Sequence, residues 1–235
     1  MAFKLEPKRI TSWSPSKLSC YAECPRKAKY KYIDKLKEPE DPNGPLARGS
    51  AIHKAAEDYI THRTDKLPGT LQNPKVKKLL ALLRKDYKLK KVRVEMELAF
   101  TKEWKMCGWL AQDVYCRFKV DVVHLLPGGK ANLIDWKTGK FKPDGEYDDQ
   151  LAAYAVGVLS SGLVEQATAQ LMFTDVGEPV TRPAGTLVLA GLAKEQKRWD
   201  TKAKACLSDT TFPCRPGNTC RWCFFSTNKG GPCEF

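Results

Sequence analysis

Long apolar runs are missing from this sequence of 235 residues. No run reaches the roughly 18 consecutive apolar residues that cross a bilayer, and residues 1–8 lack the hydrophobic stretch of a signal peptide. We therefore expect no membrane span and a location in the cytosol. Internal repeats and low-complexity segments are also missing, which excludes a repeat architecture.

Acidic residues are outnumbered, with 27 Asp and Glu against 40 Lys and Arg, so the net charge is +13. The basic residues recur in three segments, 27–37, 75–91 and 194–204. A basic surface binds nucleic acid without sequence readout, because neutralised phosphates release their counterions. The charge therefore favours a polyanionic partner, although a solubilising surface would give the same count.

A carboxylate and an amine end the apolar run that begins at Leu133. Successive side chains on a strand point to opposite faces, so Asp135 and Lys137 share one face while Trp136 takes the other. An acid beside an amine suits a divalent metal with a nucleophilic water next to the lysine. For this tripeptide alone, the alternative is a surface ion pair.

A second acid, Asp121, lies at the centre of another apolar run, 118–123. The turn Pro127-Gly128-Gly129-Lys130 joins the two runs and predicts an antiparallel hairpin. Such a hairpin brings two carboxylates and a lysine together, which favours the metal site over the surface ion pair.

Apolar periodicity predicts a helix, several antiparallel strands, a helix, a strand and a last helix. The predicted strands begin at Val92 and continue over about 107–111, 114–126, 131–137 and 167–175. The last helix is predicted over about 189–208. This order predicts an α/β (α+β) fold with a central mixed β-sheet flanked by helices.

The cysteine content is high, at nine residues, and in a reducing cytosol we expect no disulfides. The pair Cys220-Arg-Trp-Cys223 is followed by Cys233 in a tail rich in Pro and Gly, which folds poorly unless something ties it down. A metal centre supplies that tie, with Cys24 as the natural fourth thiolate. Four thiolates suit either an iron–sulfur cluster or zinc.

Five motifs in consistent order resemble the PD-(D/E)XK nucleases, most closely the RecB-like exonuclease branch that includes the CRISPR-associated exonucleases. In chain order they are Ser14-Pro-Ser-Lys-Leu18 with Cys24-Pro-Arg-Lys27 and Tyr30, Gly49-Ser-Ala-Ile-His53, Asp121, Asp135-x-Lys137 and Gln150-Leu-Ala-Ala-Tyr154. The resemblance runs from about Ser14 to Cys233. Val120 stands where the family name specifies proline, which changes no metal ligand.

This resemblance implies a restriction-endonuclease-like core and a Mg²⁺- or Mn²⁺-dependent DNA exonuclease. The implied metal ligands are His53, Asp121, Asp135 and the Trp136 carbonyl. The implied catalytic residues are Asp121, Asp135, Lys137, Gln150 and Tyr154. Glu95 or Glu97 is a further candidate carboxylate, and the sequence does not choose between them.

The iron–sulfur members of the branch imply a [4Fe-4S] cluster on Cys24, Cys220, Cys223 and Cys233, with zinc as the lesser alternative. The long gap between Cys223 and Cys233 leaves room for Cys214 or Cys20 as a ligand instead. The resulting domain prediction is a single nuclease domain, 1–235. In it, 1–45 and 206–235 form a cluster-binding subdomain that joins the termini, around a 46–205 nuclease core.

The expected substrate is DNA, at single-stranded ends, in recombination, repair or phage DNA processing in a bacterial, archaeal or phage-infected host cytosol. Two alternatives are a structure-specific DNA endonuclease and a non-cleaving DNA-binding module that uses the four-cysteine metal site as a scaffold. Five tryptophans could stack bases, although aromatic residues lie more often in a core. They are Trp13, Trp104, Trp109, Trp199 and Trp222.

Overall fold

The computed structural model describes residues 8–38, 41–139 and 147–235. The chain divides into two compact units, Met1–Glu40 with Lys197–Phe235 and Asp41–Gln196. We call the first the cysteine unit and the second the sheet unit. The cluster-binding subdomain expected for 1–45 and 206–235 stays a prediction, and its residues 1–7 and 39–40 lie outside the described part.

The helices begin at prolines more often than at any other residue, because proline fits the first helical turn, where its missing N–H is not needed. Their bounds are α1 Pro15–Glu23, α2 Pro25–Tyr32, α3 Pro45–Ile60, α4 Pro74–Lys88, α5 Asp148–Ser160 and α6 Leu192–Ser208. Ser14 caps α1 by accepting the Lys17 backbone N–H, as expected for an N-cap serine. No helix among the described residues is long and apolar enough to span a membrane.

Six strands form one sheet in the order β2-β1-β3-β4-β5-β6. Their bounds are β1 Val92–Phe100, β2 Met106–Cys107, β3 Cys116–Leu126, β4 Lys130–Lys137, β5 Gln166–Phe173 and β6 Glu178–Val188. The β4–β5 pair is parallel and the other pairs are antiparallel. The predicted mixed sheet flanked by helices is therefore confirmed.

The hairpin of β3 and β4 turns at Gly128 and Gly129, whose φ angles are +73° and +66°. Two successive positive φ angles suit the right-handed twist of the flanking strands, and glycine adopts them without strain. Val123 and Leu133 pair across the hairpin, so the two acid-bearing runs lie side by side.

Apolar residues of α3 and α4 cover one part of the sheet. Buried Ile52 and Leu80 belong to the same cluster as the strand residues Val122, Ile134 and Trp136. These three strand residues alternate with Asp121 and Asp135, so the core side chains fix the register that places the acids.

Helix α5 connects β4 to its parallel neighbour β5 and packs closely on β3. A Cβ atom at Gly157 would lie 2.8 Å from the Phe118 ring, so only glycine permits this approach. Residues 151–159 of α5 are all buried. The helix is therefore held firmly against the sheet from which Asp135 projects.

One strand prediction was wrong in its extent, and one strand was missed. The strand predicted over 107–111 comprises only Met106–Cys107, and β6 was not predicted. β6 contains Pro179, Pro183 and Gly185, which are depleted in strands. It lies at the edge of the sheet, where an N–H can be missing without breaking a ladder, so proline is tolerated there.

Candidate active site

The ladder between β3 and β4 ends at the Val122–Ile134 pair. Beyond it the Asp121 side chain replaces the backbone partner, since its Oδ2 accepts the Trp136 N–H at 2.9 Å. β4 stays paired with β5 as far as Lys137. β3 and β4 thus separate where the predicted site residues lie, which leaves room between these two strands for a ligand.

Asp135 is held by two side chains of α5. Its Oδ1 accepts hydrogen bonds from Gln150 Nε2 at 3.1 Å and from the Tyr154 hydroxyl at 2.8 Å. Gln150 also donates to the Tyr154 oxygen at 2.7 Å. Residues four apart share a helix face, which is why one carboxylate oxygen reaches both. The three side chains form a closed network around that oxygen.

The other carboxylate oxygen of Asp135 is left for a cation. Oδ2 is buried and has no hydrogen-bond partner among the described residues, although the Lys137 Nζ lies 2.6 Å away as an ion pair. Burial, and then the negative charge of Asp121, raises the pKa of Asp135. A buried carboxylate beside a second acid suits a divalent cation.

His53 projects from α3 to the same place. Its Nδ1 lies 3.0 Å from Asp121 Oδ2, and its Nε2 lies 2.7 Å from the Trp136 carbonyl oxygen. Burial alone would lower the pKa of His53, but the hydrogen bond and charge of Asp121 raise it above its ordinary value. The imidazole therefore bridges two atoms that were both predicted as metal ligands.

Glu95 is one of the two candidate carboxylates between which the sequence does not choose. Its φ angle is +50°, a strained value for a strand residue that is not glycine. The neighbouring pairs Val94–Val122 and Met96–Val120 place it across from Asp121. One ligand atom each of His53, Glu95 and Asp121 lies within 4.8 Å of the others.

Glu95 also forms an ion pair with Lys119 at 2.7 Å. Glu97 is solvent-exposed, and the metal-compatible group among the described residues does not include it. Backbone strain at Glu95 is the signal that separates the two acids, and it cannot be read from strand alternation.

A cleft of about 620 Å³ is lined by some of these groups, and buried Asp135 does not line it. Its walls include His53, Glu95, Asp121 and Lys137. Gly49, one helical turn before His53, also lines the cleft, and a side chain at Gly49 would meet no atom within 4 Å. The glycine therefore leaves this wall of the cleft open to a bulky substrate.

The four predicted cluster cysteines lie together in the cysteine unit. One cavity is lined by Cys24, Cys220, Cys223, Cys233 and also Cys214. Cys20, the other alternative, does not line it. Tyr30 and Phe225 pack beside Cys233 and give the cavity an apolar wall.

The five thiols differ in their surroundings. Burial raises the pKa of Cys24, but the backbone N–H groups of Arg215, Lys27 and Arg26 outweigh it, so the net pKa is lowered. Burial, and then a hydrogen bond to Cys233, raises the pKa of Cys214 to about 12. The Sγ atoms of Cys214 and Cys233 are 3.7 Å apart.

Comparison with known proteins decides the family. The sequence profile of the PD-(D/E)XK nuclease superfamily matches residues 12–227, most of the chain. This chain belongs to the PD-(D/E)XK nuclease superfamily. It is therefore a nuclease whose substrate is nucleic acid and whose cleavage uses divalent metal ions.

The other comparisons add little to this assignment. Curated proteins give no significant match. Among solved structures, the crystal structure of SSO0001 is similar at 15% identity and a TM-score of 0.49. That similarity covers 94% of this chain and 87% of that one.

The donor set fits the metal ions of PD-(D/E)XK nucleases. Carboxylate oxygens of Asp121 and Glu95 and the imidazole of His53 lie within 4.8 Å of one another at the cleft, and the Trp136 carbonyl is hydrogen-bonded to that imidazole. Asp135 is outside this group of three, although the charge of Asp121 acts on it. Hard oxygen donors with few nitrogens are what Mg²⁺ and Mn²⁺ accept. The close approach of His53, Glu95 and Asp121 is the observation that fits such an ion.

Proposed function

We propose that this PD-(D/E)XK nuclease is a RecB-like DNA exonuclease that hydrolyses phosphodiester bonds at single-stranded ends. The observation that carries the proposal is the buried Asp135 carboxylate, with one oxygen bound by α5 and the other left to Lys137 and a cation. A protein that only binds DNA gains nothing from buried acids, because they repel phosphate.

The proposed ligands of Mg²⁺ or Mn²⁺ are His53, Asp121, Asp135 and the Trp136 carbonyl, with Glu95 added to the predicted set. When bound, a divalent ion withdraws charge from a phosphate oxygen and lowers the pKa of a water. His53 must release the Trp136 carbonyl to let both groups act as ligands, since the two are hydrogen-bonded to each other at 2.7 Å.

Lys137 is the proposed catalytic cation. Its ammonium group lies against Asp135 and lines the cleft, so it can orient a water for in-line attack on phosphorus. The same positive charge stabilises the negative charge that develops on the phosphoryl oxygens. Gln150 and Tyr154 act through Asp135 and are positioning residues.

The proposed role of the cysteine cavity is structural. Cys24, Cys220, Cys223 and Cys233 would hold a [4Fe-4S] cluster, since all four line that cavity. Tetrahedral zinc brings its four thiolates within about 4 Å of one another. No three of the described cysteines lie that close, which favours the larger cluster over a single zinc.

The proposed substrate and location follow from charge and family resemblance. A net charge of +13 suits DNA held through its phosphates. We assign the protein to recombination, repair or phage DNA processing in the cytoplasm. This assignment rests on the RecB-like order of the motifs.

The test of the exonuclease is a comparison of linear and circular single-stranded DNA of equal sequence. With Mg²⁺ or Mn²⁺, end-labelled linear DNA should shorten progressively while the circle stays intact. Cleavage of the circle would show an endonuclease instead. Binding without any cleavage, in either metal, would show a non-cleaving DNA-binding module.

A further inference from the structure

Trp222 differs from the other five tryptophans of the chain. Its side chain is 79% exposed, whereas each of the others is buried or half-buried. Trp13, for example, stacks on Trp199 with ring centroids 5.5 Å apart and planes 12° apart. An exposed indole presents a large apolar face to water, on which a ligand can stack.

The backbone that carries Trp222 is already ordered. Trp222 ends the 3-10 helix Asn218–Trp222, in which Cys220 donates to the Gly217 carbonyl at 3.0 Å. The Cys223 N–H then donates to the Cys220 carbonyl at 3.1 Å. The thiols of Cys220 and Cys223 line the cysteine cavity, while the indole between them faces solvent. A ligand of this indole would therefore not have to order the loop.

Charge identifies the class of ligand. The cysteine unit carries 17 Lys and Arg against 8 Asp and Glu, so it holds +9 of the chain's +13. Arg221, next to the exposed indole, is itself exposed and forms no ion pair within the described part of the chain. Phe224 and Phe235 are also 41% and 44% exposed. Aromatic faces on a cationic unit are the combination that binds unpaired bases and their phosphates.

We propose that Trp222 is a stacking site for an unpaired base of single-stranded DNA, with Arg221 facing the adjoining phosphate. The site specifies a substrate class, because a duplex keeps its bases stacked on each other and offers no free face to the indole. Stacking accepts every base, so no sequence preference follows. This inference rests on the proposed function and assigns a residue that would hold the single strand.

The experiment measures binding of the metal-loaded full chain to labelled oligo-dT of about 20 nucleotides, with Ca²⁺ replacing Mg²⁺ to prevent cleavage. A second oligomer of equal length carries abasic sugars. Trp222→Ala should weaken binding to oligo-dT about tenfold and leave binding to the abasic strand unchanged. Trp222→Phe should keep most of the affinity, and Leu110→Ala, which removes an 87% exposed side chain from the sheet unit, should change nothing.

Three results would overturn the stacking site. One is equal affinity of the native protein and Trp222→Ala for oligo-dT. The second is an equal loss of affinity for oligo-dT and for the abasic oligomer. In a parallel binding assay with anionic lipid vesicles, the third is a loss in Trp222→Ala that is seen with vesicles and not with oligo-dT. Quenching of tryptophan fluorescence by oligo-dT should also disappear in Trp222→Phe, and its persistence would contradict the proposal. Failure of the proposed function is distinguishable, because a native protein that cleaves linear single-stranded DNA retains that function whatever Trp222 does.

Discussion

The Tyr154 hydroxyl donates a 2.8 Å hydrogen bond to Oδ1 of Asp135, and this bond helps to set the orientation of the carboxylate. With Oδ1 fixed to α5, Oδ2 faces the ammonium group of Lys137. Burial, and then the charge of Asp135, raises the pKa of Tyr154 well above its ordinary value, so the phenol stays a donor at neutral pH. The sheet supplies the acid and the helix sets its orientation.

Tyr154→Phe should therefore slow cleavage by about 10- to 100-fold, as loss of a residue that orients a metal ligand does. The ring stays in place, so the fold should be unaffected. The measurement is single-turnover cleavage of linear DNA over a range of Mg²⁺ concentrations.

A variant at Gln150 is the comparison for Tyr154→Phe. Gln150→Ala should also reduce the rate, and the double variant should lose less than the product of the two single losses, because both groups hold the same oxygen. Strictly multiplicative losses would mean that the two side chains act independently and would contradict the shared positioning role.

Asp121→Asn, Asp135→Asn and Lys137→Ala should each reduce cleavage by about 100-fold or more, because each removes a charge at the reacting phosphate. Metal-free DNA binding should survive in all three, and it should strengthen in the two Asn variants as a phosphate-repelling charge is lost. Binding is measured in EDTA and cleavage in Mn²⁺. Full activity of Asp135→Asn would refute the assigned site.

Glu95→Gln should weaken the apparent affinity for Mg²⁺ by at least about tenfold, since the charge of the ligand set controls the affinity for a hard cation. Glu97→Gln is the matched control, two residues along the same strand face but exposed and outside the metal-compatible group. Metal titrations of the cleavage rate compare the two. Equal curves for both variants would remove Glu95 from the ligand set and leave its strained backbone unexplained.

The local part of the site could be predicted from sequence, because it depends on strand alternation and one turn. Asp135 and Lys137 share a face by period two, and the glycine turn pairs their strand with the strand of Asp121. Glu95 could not be chosen, since alternation puts Glu95 and Glu97 on the same face, and the φ angle and burial that distinguish them depend on the folded chain.

Other features could not be predicted from sequence because they depend on contacts between distant segments of the chain. Strand β6 was missed because Pro179, Pro183 and Gly185 contradict local strand propensity, and only pairing with β5 keeps the segment extended. Cys214 was an alternative ligand in sequence, and its place beside Cys233 depends on how the tail folds back on itself. The backbone of that tail is closed by the Cys233 N–H, which donates to the Phe225 carbonyl at 2.8 Å.

Asp209 should make the cysteine unit sensitive to acid. Burial raises the pKa of Asp209, but hydrogen bonds from the Phe212 and Thr211 N–H groups and from Tyr21 outweigh it, so the net pKa is lowered. A lowered folded-state pKa contributes stability that is present above the unfolded value of 3.8 and is lost as pH falls through the folded value.

The measurement is the free energy of unfolding of the native protein and of Asp209→Asn. The native protein should be more stable by about 1 kcal/mol near neutral pH, and the difference should shrink below about pH 4. Asp113→Asn, an exposed acid of the sheet unit, is the control and should show no such convergence. A difference that stays constant down to about pH 2 would contradict the role given to the Asp209 charge.

The cysteine cavity should hold iron. Anaerobically purified protein should be brown with about four irons per chain. Cys24→Ser should lose the colour and become unstable or aggregate, because a structural metal contributes on the order of 10 kcal/mol, comparable with the whole stability of a domain. Cys20→Ser, one helical turn earlier in α1, is the matched control. That thiol does not line the cavity, and burial raises its pKa to about 11, so the iron content should not change.

A comparison of variants at Cys214 and Cys220 tests which four cysteines bind the cluster. It lies in the cavity 3.7 Å from Cys233, yet four thiolates suffice for a cubane cluster, so Cys214→Ser should keep its iron and Cys220→Ser should lose it. The reverse pattern would exchange Cys220 for Cys214 as a ligand. Colourless protein with one zinc would refute the cluster but keep a metal that ties the tail to α2. A folded, active Cys24→Ala/Cys220→Ala protein would refute both the cluster and the need for any metal there.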